Sequence, residues 1–568
     1  MLPVLRSQAL RPGRTQIHRT VRFSRRYNGV PNNNGPHTTY FQPPPEPPKT
    51  RWGRITIAGL LLVSSGFLGG VWISAKALTA NNPGAELQDL AEDAAALEDA
   101  MAEAVHAAAA KGVPPMDLER SQEMLETRAG YSVNHKVVTH TAQLPSNLPC
   151  EDQWSCGAFD LYHDPKKDWA EFAIFDGHAG PRTAMLLRDW LPGTIGQTMW
   201  SENCFGRPYV PNDPHIIKTI KNIFYSFDND LVETGLRHIR DGMPDRAAVV
   251  AAAAAAFSGS CALLALYDPA KDVLRVVNVG DSRAVLGRWD GQQNKYIAQA
   301  MSIDQTGFNQ DEVRRITADH PDEEVIDHKT GRIHGLAVSR AFGDARWKWP
   351  QDISRRAQEL FWGPNPRPDA KILTPPYLTA EPEIMETKVR TGDKSDFLIM
   401  ASDGLWDQMS NDDAVICVQM WLDENKPTDF ATKAAEAAKG TAVNPFRGSA
   451  PAQATASLPG LFENRKPGFN SPSELNAGSD DEEVYYDADE RTLKWKVSPK
   501  HFVVEDENCG IHLIKNALGG RRRDLFTGIM SVQPPLSRNV RDDITVHVIF
   551  FGQDADLKFL EAAGVGRK

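Results

Sequence analysis

Short apolar runs recur from about residue 128 onward, at 172–175, 261–267, 273–279, 397–400 and 544–551, each bounded by turn-forming residues. Their length and their β-branched and aromatic content predict strands. Longer stretches with apolar positions at helical spacing lie between them, at 181–191, 213–236, 309–317, 412–423 and 509–518, and predict helices. The pattern predicts one large domain of mixed strands and helices over 128–552, with no internal repeat. Two stretches look inserted: the Ala-rich run 247–256, and 441–490. The latter combines Pro, Gly, Ser and Asn with Asp480-Asp481-Glu482-Glu483 and has too little apolar content to pack, so it is expected to be a flexible loop.

The hydropathy pattern differs before the domain. Residues 55–75 carry no charge over 21 positions, which as a helix matches the ~30 Å hydrocarbon core of a bilayer and predicts a single membrane span. Seven arginines (6, 11, 14, 19, 22, 25 and 26), with no acid before Glu46, give 1–54 the composition of a mitochondrial presequence followed by a Pro-rich spacer. The plainer alternative for this segment is a solvated basic tail. Residues 76–127, acidic and Ala-rich, are expected to form a helical stalk, and 553–568 a C-terminal tail. Arg51 and Arg54 before the span and the acids behind it predict an inner-membrane protein whose domain crosses to the intermembrane space.

The net charge of −11 hides a division. Residues 1–54 carry +9, leaving −20 on the rest, a balance that disfavours nucleic acid and favours cationic partners such as metal ions. With 41% apolar and 24% charged residues the chain is neither fully disordered nor a polytopic membrane protein. Six scattered cysteines without a C-x-x-C pair exclude a disulfide scaffold and a structural zinc module.

The surplus of acid gathers at strand ends. The run 172–175 leads into Asp176-Gly177-His178-Ala179-Gly180, which sets a carboxylate, an open carbonyl and an imidazole at one strand tip. The run 397–400 leads into Asp403-Gly404-Leu405-Trp406-Asp407, Asp281 follows a third strand, and Asp542 precedes a fourth. Taken singly, each Asp is readable as a turn cap. If the four ends converge, their carboxylates repel one another, and divalent cations are the natural remedy.

Taken in order, Glu151-Asp152, Phe175-Asp176-Gly177-His178-Ala179-Gly180, Gly259-Ser260-Cys261-Ala262, Gly280-Asp281-Ser282-Arg283, the segment Leu336 to Asp344, Ala401-Ser402-Asp403-Gly404-Leu405-Trp406-Asp407 and Arg541-Asp542-Asp543 resemble the motifs of the metal-dependent (PPM, type 2C) serine/threonine protein phosphatases. Ser146 to Asp152, Phe342 to Trp349 and Pro375 to Glu383 resemble the mitochondrial pyruvate dehydrogenase phosphatase branch of that family. The resemblance implies a four-layer αββα sandwich, two antiparallel sheets flanked by helices, with the metal site at one end. It also implies two Mg²⁺ or Mn²⁺ ions, with Asp176 bridging them, the Gly177 carbonyl on one, and Asp403 and Asp542 on the other. Glu151 and Asp152 would act through intervening waters. Asp281 and Asp407, with Asp403, would form a looser third-metal site, and His178 would donate a proton to the leaving oxygen. The expected reaction is hydrolysis of phosphoserine or phosphothreonine by metal-activated water, and the expected partner is a phosphoprotein such as the E1α subunit of pyruvate dehydrogenase, a matrix enzyme.

One residue departs from the resemblance. Asn147 stands where most members carry a phosphate-gripping Arg, and Arg340 is a candidate substitute. Two alternatives stay open at this level: a pseudophosphatase acting as a membrane-tethered binding module, and a tethered structural protein with Ca²⁺-binding acidic clusters. No EF-hand-type loop supports the second. A matrix substrate and a domain facing the intermembrane space also conflict, so the side on which the domain lies stays open.

Overall fold

The computed structural model describes residues 22–24, 116–134, 137–160, 168–241, 245–368, 372–427, 484–487 and 492–552. The expected presequence apart from 22–24, the span 55–75, the stalk up to 115, the insertion 441–490 apart from 484–487, and the tail 553–568 lie outside these residues. Among the described residues no helix is long and apolar enough to cross a membrane.

Two antiparallel sheets form the core. In spatial order, the long strands of one are Gln153–Asp160, Trp169–Phe175, Ala262–Asp268, Val273–Val279 and Glu383–Lys388. The other runs Lys295–Ala300, Arg283–Asp290, Phe397–Ala401, Ile544–Phe551, Val137–Leu144 and Ala129–Asn134. Strand alternation explains why the central strands read as unbroken apolar runs. Ala170, Phe172 and Ile174 point into the space between the sheets, where they meet Leu286, Leu398, Met400 and Ile549. Trp169, Ala173 and Phe175 point outward against Leu187, Leu191, Ile220 and Phe224 of the helices Arg182–Ser201 and Pro214–Asp241. The outer face of the second sheet is covered by Asn411–Glu424 and Cys509–Ala517. Helix, sheet, sheet and helix thus make four layers, and both faces of each sheet are removed from water.

Three of the helices expected from apolar spacing start on a capping side chain. Asn309, Ser410 and Asn508 each accept a hydrogen bond from a first-turn backbone N–H, at 3.0 Å from Asp311, 3.1 Å from Asp413 and 2.8 Å from Gly510. Three expectations change. The Ala-rich run that looks inserted packs into the domain: Arg246–Phe257 is a helix whose Val249, Ala253 and Ala256 are buried against Ile239, Trp349 and Ile353, because methyl-sized side chains let helices approach closely. The end of the expected stalk, Leu118–Glu126, docks on the domain through fully buried Leu125 and a 2.8 Å hydrogen bond from Gln122 to Asp506. At the end of the supposed loop, Val484–Asp487 pairs with Thr492–Trp495, and the Trp495 indole donates to the Ala517 carbonyl at 2.9 Å.

Burial of three histidines sets the acid response of this core. His140, His512 and His547 are each held at about 4, first by burial, which disfavours the imidazolium. Above about pH 6.5 they are neutral in the folded and unfolded chain alike. Between there and about 4 the unfolded chain binds protons that the folded one refuses, so stability falls as pH falls. These rings pull the melting temperature down between pH 7.5 and 5.0, while the site carboxylates that burial raises pull it up; His547→Gln is therefore expected to weaken the downward pull, and an unaltered pH dependence of melting in that variant would contradict the burial of the ring.

Candidate active site

Sheet register brings the acidic strand ends together. Gln153 pairs with Phe175, Ile174 with Leu263, and Ala262 with Val279, so Glu151-Asp152, Asp176, Cys261 and Asp281 emerge at one end of the first sheet. Ala401 pairs with both Arg283 and Val546, which sets Asp403 and Asp542-Asp543 at one end of the second. Hydrogen bonds tie the two ends: Ser402 Oγ and Thr545 Oγ1 donate to Asp152 Oδ2 at 2.8 and 2.7 Å.

The electrostatics report the crowding. The carboxyl of Asp176 is raised well above its ordinary range by burial and then by Asp403, Asp152, Asp281 and Asp542. Asp403 is raised likewise by burial and then by Asp281, Asp542, Asp407 and Asp152. Asp152 and Asp542 are also raised, chiefly by burial, and Asp281 is pushed up to about 6 by the same cause. Asp407 sits exposed at the rim, one turn beyond Asp403, its N–H donating to the Asp403 carbonyl at 2.9 Å. Asp176 Oδ2 is buried and has no hydrogen-bond partner among the described residues. Oxygen-rich, mutually repelling and with an acceptor left over, this donor set fits a hard divalent cation.

His178 lies on the same rim. Its Nε2 is 2.6 Å from Oδ2 of Asp344, a residue only 1% exposed. Burial alone would lower this imidazole, but the Asp344 carboxylate, helped by Asp281 and Glu151, outweighs it, and the net direction is upward. Gly259 makes the pair possible, since a Cβ there would fall 2.1 Å from His178 Nε2 and 2.2 Å from Asp344 Oδ2. Gly177 is needed for a similar reason, because its Cβ would lie 2.4 Å from the Glu151 carbonyl oxygen.

Four further residues belong here that spacing did not single out. Asp344 and Cys261 lie within the family motifs, where the linear pattern assigns them no role; Cys261 Sγ lies 3.4 Å from Asp281 Oδ1, and its ligand atom and those of Asp176 and Asp281 fall within 4.8 Å of one another. Asp543 accepts from the N–H groups of Ser146, Asn147, Glu151 and Asp152 at 2.5 to 3.3 Å and from Ser146 Oγ at 2.8 Å, and so shapes the loop that carries Glu151 and Asp152. Arg538, its side chain 38% exposed, pairs with Asp542 and lies 3.7 Å from Glu151 Oε2. Arg340 is not the phosphate-gripping substitute: it is 8% exposed and locked on Glu312, with Nη2 at 2.5 Å and Nε at 3.1 Å, and on the Glu381 carbonyl at 2.8 Å. Asn147 donates its side-chain amide to Glu151 Oε2 at 2.8 Å.

The sequence profile of protein phosphatase 2C matches residues 146–444, over half of the chain. The chain belongs to the protein phosphatase 2C family. A protein phosphatase 2C homolog of Schizosaccharomyces pombe is 34% identical over 416 residues, covering 72% of this chain and 79% of the relative. The mitochondrial [pyruvate dehydrogenase [acetyl-transferring]]-phosphatase 1 of Saccharomyces cerevisiae is 35% identical over 427 residues, 72% of this chain and 68% of the relative. The human protein of the same name is 29% identical over 370 residues, 62% of this chain and 58% of its own length. A metal-dependent serine/threonine phosphatase is the activity of this phosphatase 2C domain, and the alternatives of a binding module without chemistry or a Ca²⁺-binding tether are set aside.

Proposed function

We propose that this chain is a mitochondrial phosphatase that removes phosphate from serine on the pyruvate dehydrogenase E1α subunit, using Mg²⁺ or Mn²⁺. The observation that carries the chemistry is the convergence of Asp152, Asp176, Asp281, Asp403 and Asp542, with their carboxyls raised and one Asp176 oxygen left without a partner among the described residues. Asp176, the Gly177 carbonyl, Asp403 and Asp542 would hold two cations, Glu151 and Asp152 would support them through water, and Asp281 and Asp407 would offer a third position. When bound, such ions supply Lewis acidity, an activated water and charge to offset the phosphoryl oxygens.

The protein groups divide the remaining work. His178, whose hold on a proton the Asp344 carboxylate strengthens against the effect of burial, is suited to give that proton to the departing serine oxygen. Asn147 is engaged with Glu151, whereas Arg538 stands partly exposed at the rim beside Asp542 and Glu151 and would be the guanidinium placed to grip the phosphate. Arg538→Ala is expected to raise KM for a phosphopeptide by about 10-fold, the scale of one charge-assisted contact, with a smaller change in kcat. Asn147→Arg added to that variant should recover part of the loss. A variant that instead loses Mn²⁺ affinity with KM unaltered would assign Arg538 to holding Asp542 alone.

The relatives named as pyruvate dehydrogenase phosphatases support the substrate, and with the acid-poor 1–54 segment they support a mitochondrial address. Anchoring through 55–75 rests on the apolar run alone. The deciding experiment compares phosphate release by the full chain from phosphorylated E1α and from unrelated phosphoserine peptides, with Mn²⁺ and with EDTA. Metal-dependent release that favours E1α supports the reading. Equal rates on all substrates would remove the substrate assignment and leave the chemistry.

A further inference from the structure

Two arginines outside the acidic site share one tryptophan and have no carboxylate partner among the described residues. Arg346 and Arg367 both pack on the indole of Trp347, their Cζ atoms 5.4 and 5.0 Å from the ring centre. Trp347 is 8% exposed and donates its Nε1–H to the Ile333 carbonyl at 3.2 Å, so the platform is fixed. Arg367 lies against Gly335, which has φ +88°; a Cβ there would be 2.8 Å from Nη2. Both arginines are partly exposed.

Among the described residues, neither guanidinium forms an ion pair, and the Nε of each is buried without an acceptor. Arg346 is made less basic by burial and then by Arg367, and Arg367 by burial. Several partly buried arginines elsewhere in the domain do have a carboxylate partner: Arg283 with Asp304, Arg288 with Asp396, Arg315 and Arg340 with Glu312. In a chain so rich in acid, two like charges held together without a carboxylate cost free energy, unless an anion from outside completes them.

Their place in the fold says which anion. The turn Ala345–Trp347 follows directly on Asp344, the residue that holds His178, so Arg346 stands two residues, at most ~7 Å of chain, from the proton-donating pair. We propose that Arg346 and Arg367, pre-organised on Trp347, bind an aspartate or glutamate side chain that flanks the scissile phosphoserine in the protein substrate. The planar guanidinium fork matches a carboxylate, and stacking on the indole fixes its orientation before binding. This inference rests on the protein phosphatase reading and adds a sequence preference to it.

The test uses the full chain with Mn²⁺ and three substrates: a phosphoserine peptide with glutamates on both sides, the same peptide with glutamines in their place, and para-nitrophenyl phosphate, which has no flanking residue. Arg346→Gln with Arg367→Gln is expected to raise KM for the acidic peptide by about 10-fold, and to leave KM for the other two within about two-fold. Arg→Lys at both positions should fall between. Equal losses on all three substrates would assign the pair a structural role, and a wild-type enzyme that treats the two peptides alike would also overturn the proposal. Anisotropy of a labelled acidic peptide, with and without the substitutions, reads the site directly. If the enzyme releases no phosphate from any substrate, the functional reading fails while the binding measurement still decides this one.

Discussion

Asp176→Asn should cut turnover by at least about 100-fold at saturating Mn²⁺, weaken Mn²⁺ binding in calorimetry, and raise the melting temperature in EDTA. The three results belong together. Asp176 sits at a strand tip where burial and four neighbouring carboxylates raise its carboxyl, and its Oδ2 has no protein hydrogen bond among the described residues. Asn keeps the size and removes the charge, so the cation loses its central ligand while the cation-free protein loses a repulsion. This is a trade of stability for function at a single residue. Near-normal turnover with unchanged Mn²⁺ affinity would sink the assignment, and a lower melting temperature in EDTA would show that the carboxylate is needed by the fold.

The neighbouring pair Asp542-Asp543 should split in the opposite sense. Asp543→Ala is expected to destabilise the domain by about 3–5 kcal/mol, because it strands several buried donors at once. Asp543 is 2% exposed and receives four backbone N–H groups and the Ser146 hydroxyl. Asp542→Ala removes a carboxyl that burial has already raised, together with its pairing to Arg538 and one N–H bond from Asp543, and should cost only about 1 kcal/mol in EDTA while weakening metal binding. Urea titration of both variants in EDTA separates them. Equal destabilisation would mean that the two adjacent acids share one role.

The difference between these neighbours marks the limit of a linear reading. That Asp176, Asp281, Asp403 and Asp542 lie at strand ends was legible because an apolar run followed or preceded by Asp is a local pattern. Helix spans were legible for the same reason: the period over 213–236 corresponds to Pro214–Asp241, and that over 412–423 to Asn411–Glu424. The strands Gln153–Asp160, Arg283–Asp290 and Glu383–Lys388 were harder, since each mixes charged or small residues into its pattern. Gln351–Phe361 was missed for a different reason: its apolar positions pack on the Ala-rich helix that itself looked like an insertion.

Roles, as opposed to positions, came from the tertiary structure. His178 and Asp344 are 166 residues apart, Asp543 and Ser146 are 397 apart, and Ser402 and Asp152 are 250 apart. Which of Arg340 and Arg538 is buried in an ion pair and which stands at the acidic rim depends on where Glu312 and Asp542 come to lie. By itself the sequence determined the mixed architecture, the excess of acid and its placement at strand tips, because periodicity and turn chemistry act over a few residues. Only the packing of two registered sheets decided which carboxylates crowd together, which one builds the loop and which holds the histidine, because those contacts are set by register and layer geometry across hundreds of residues.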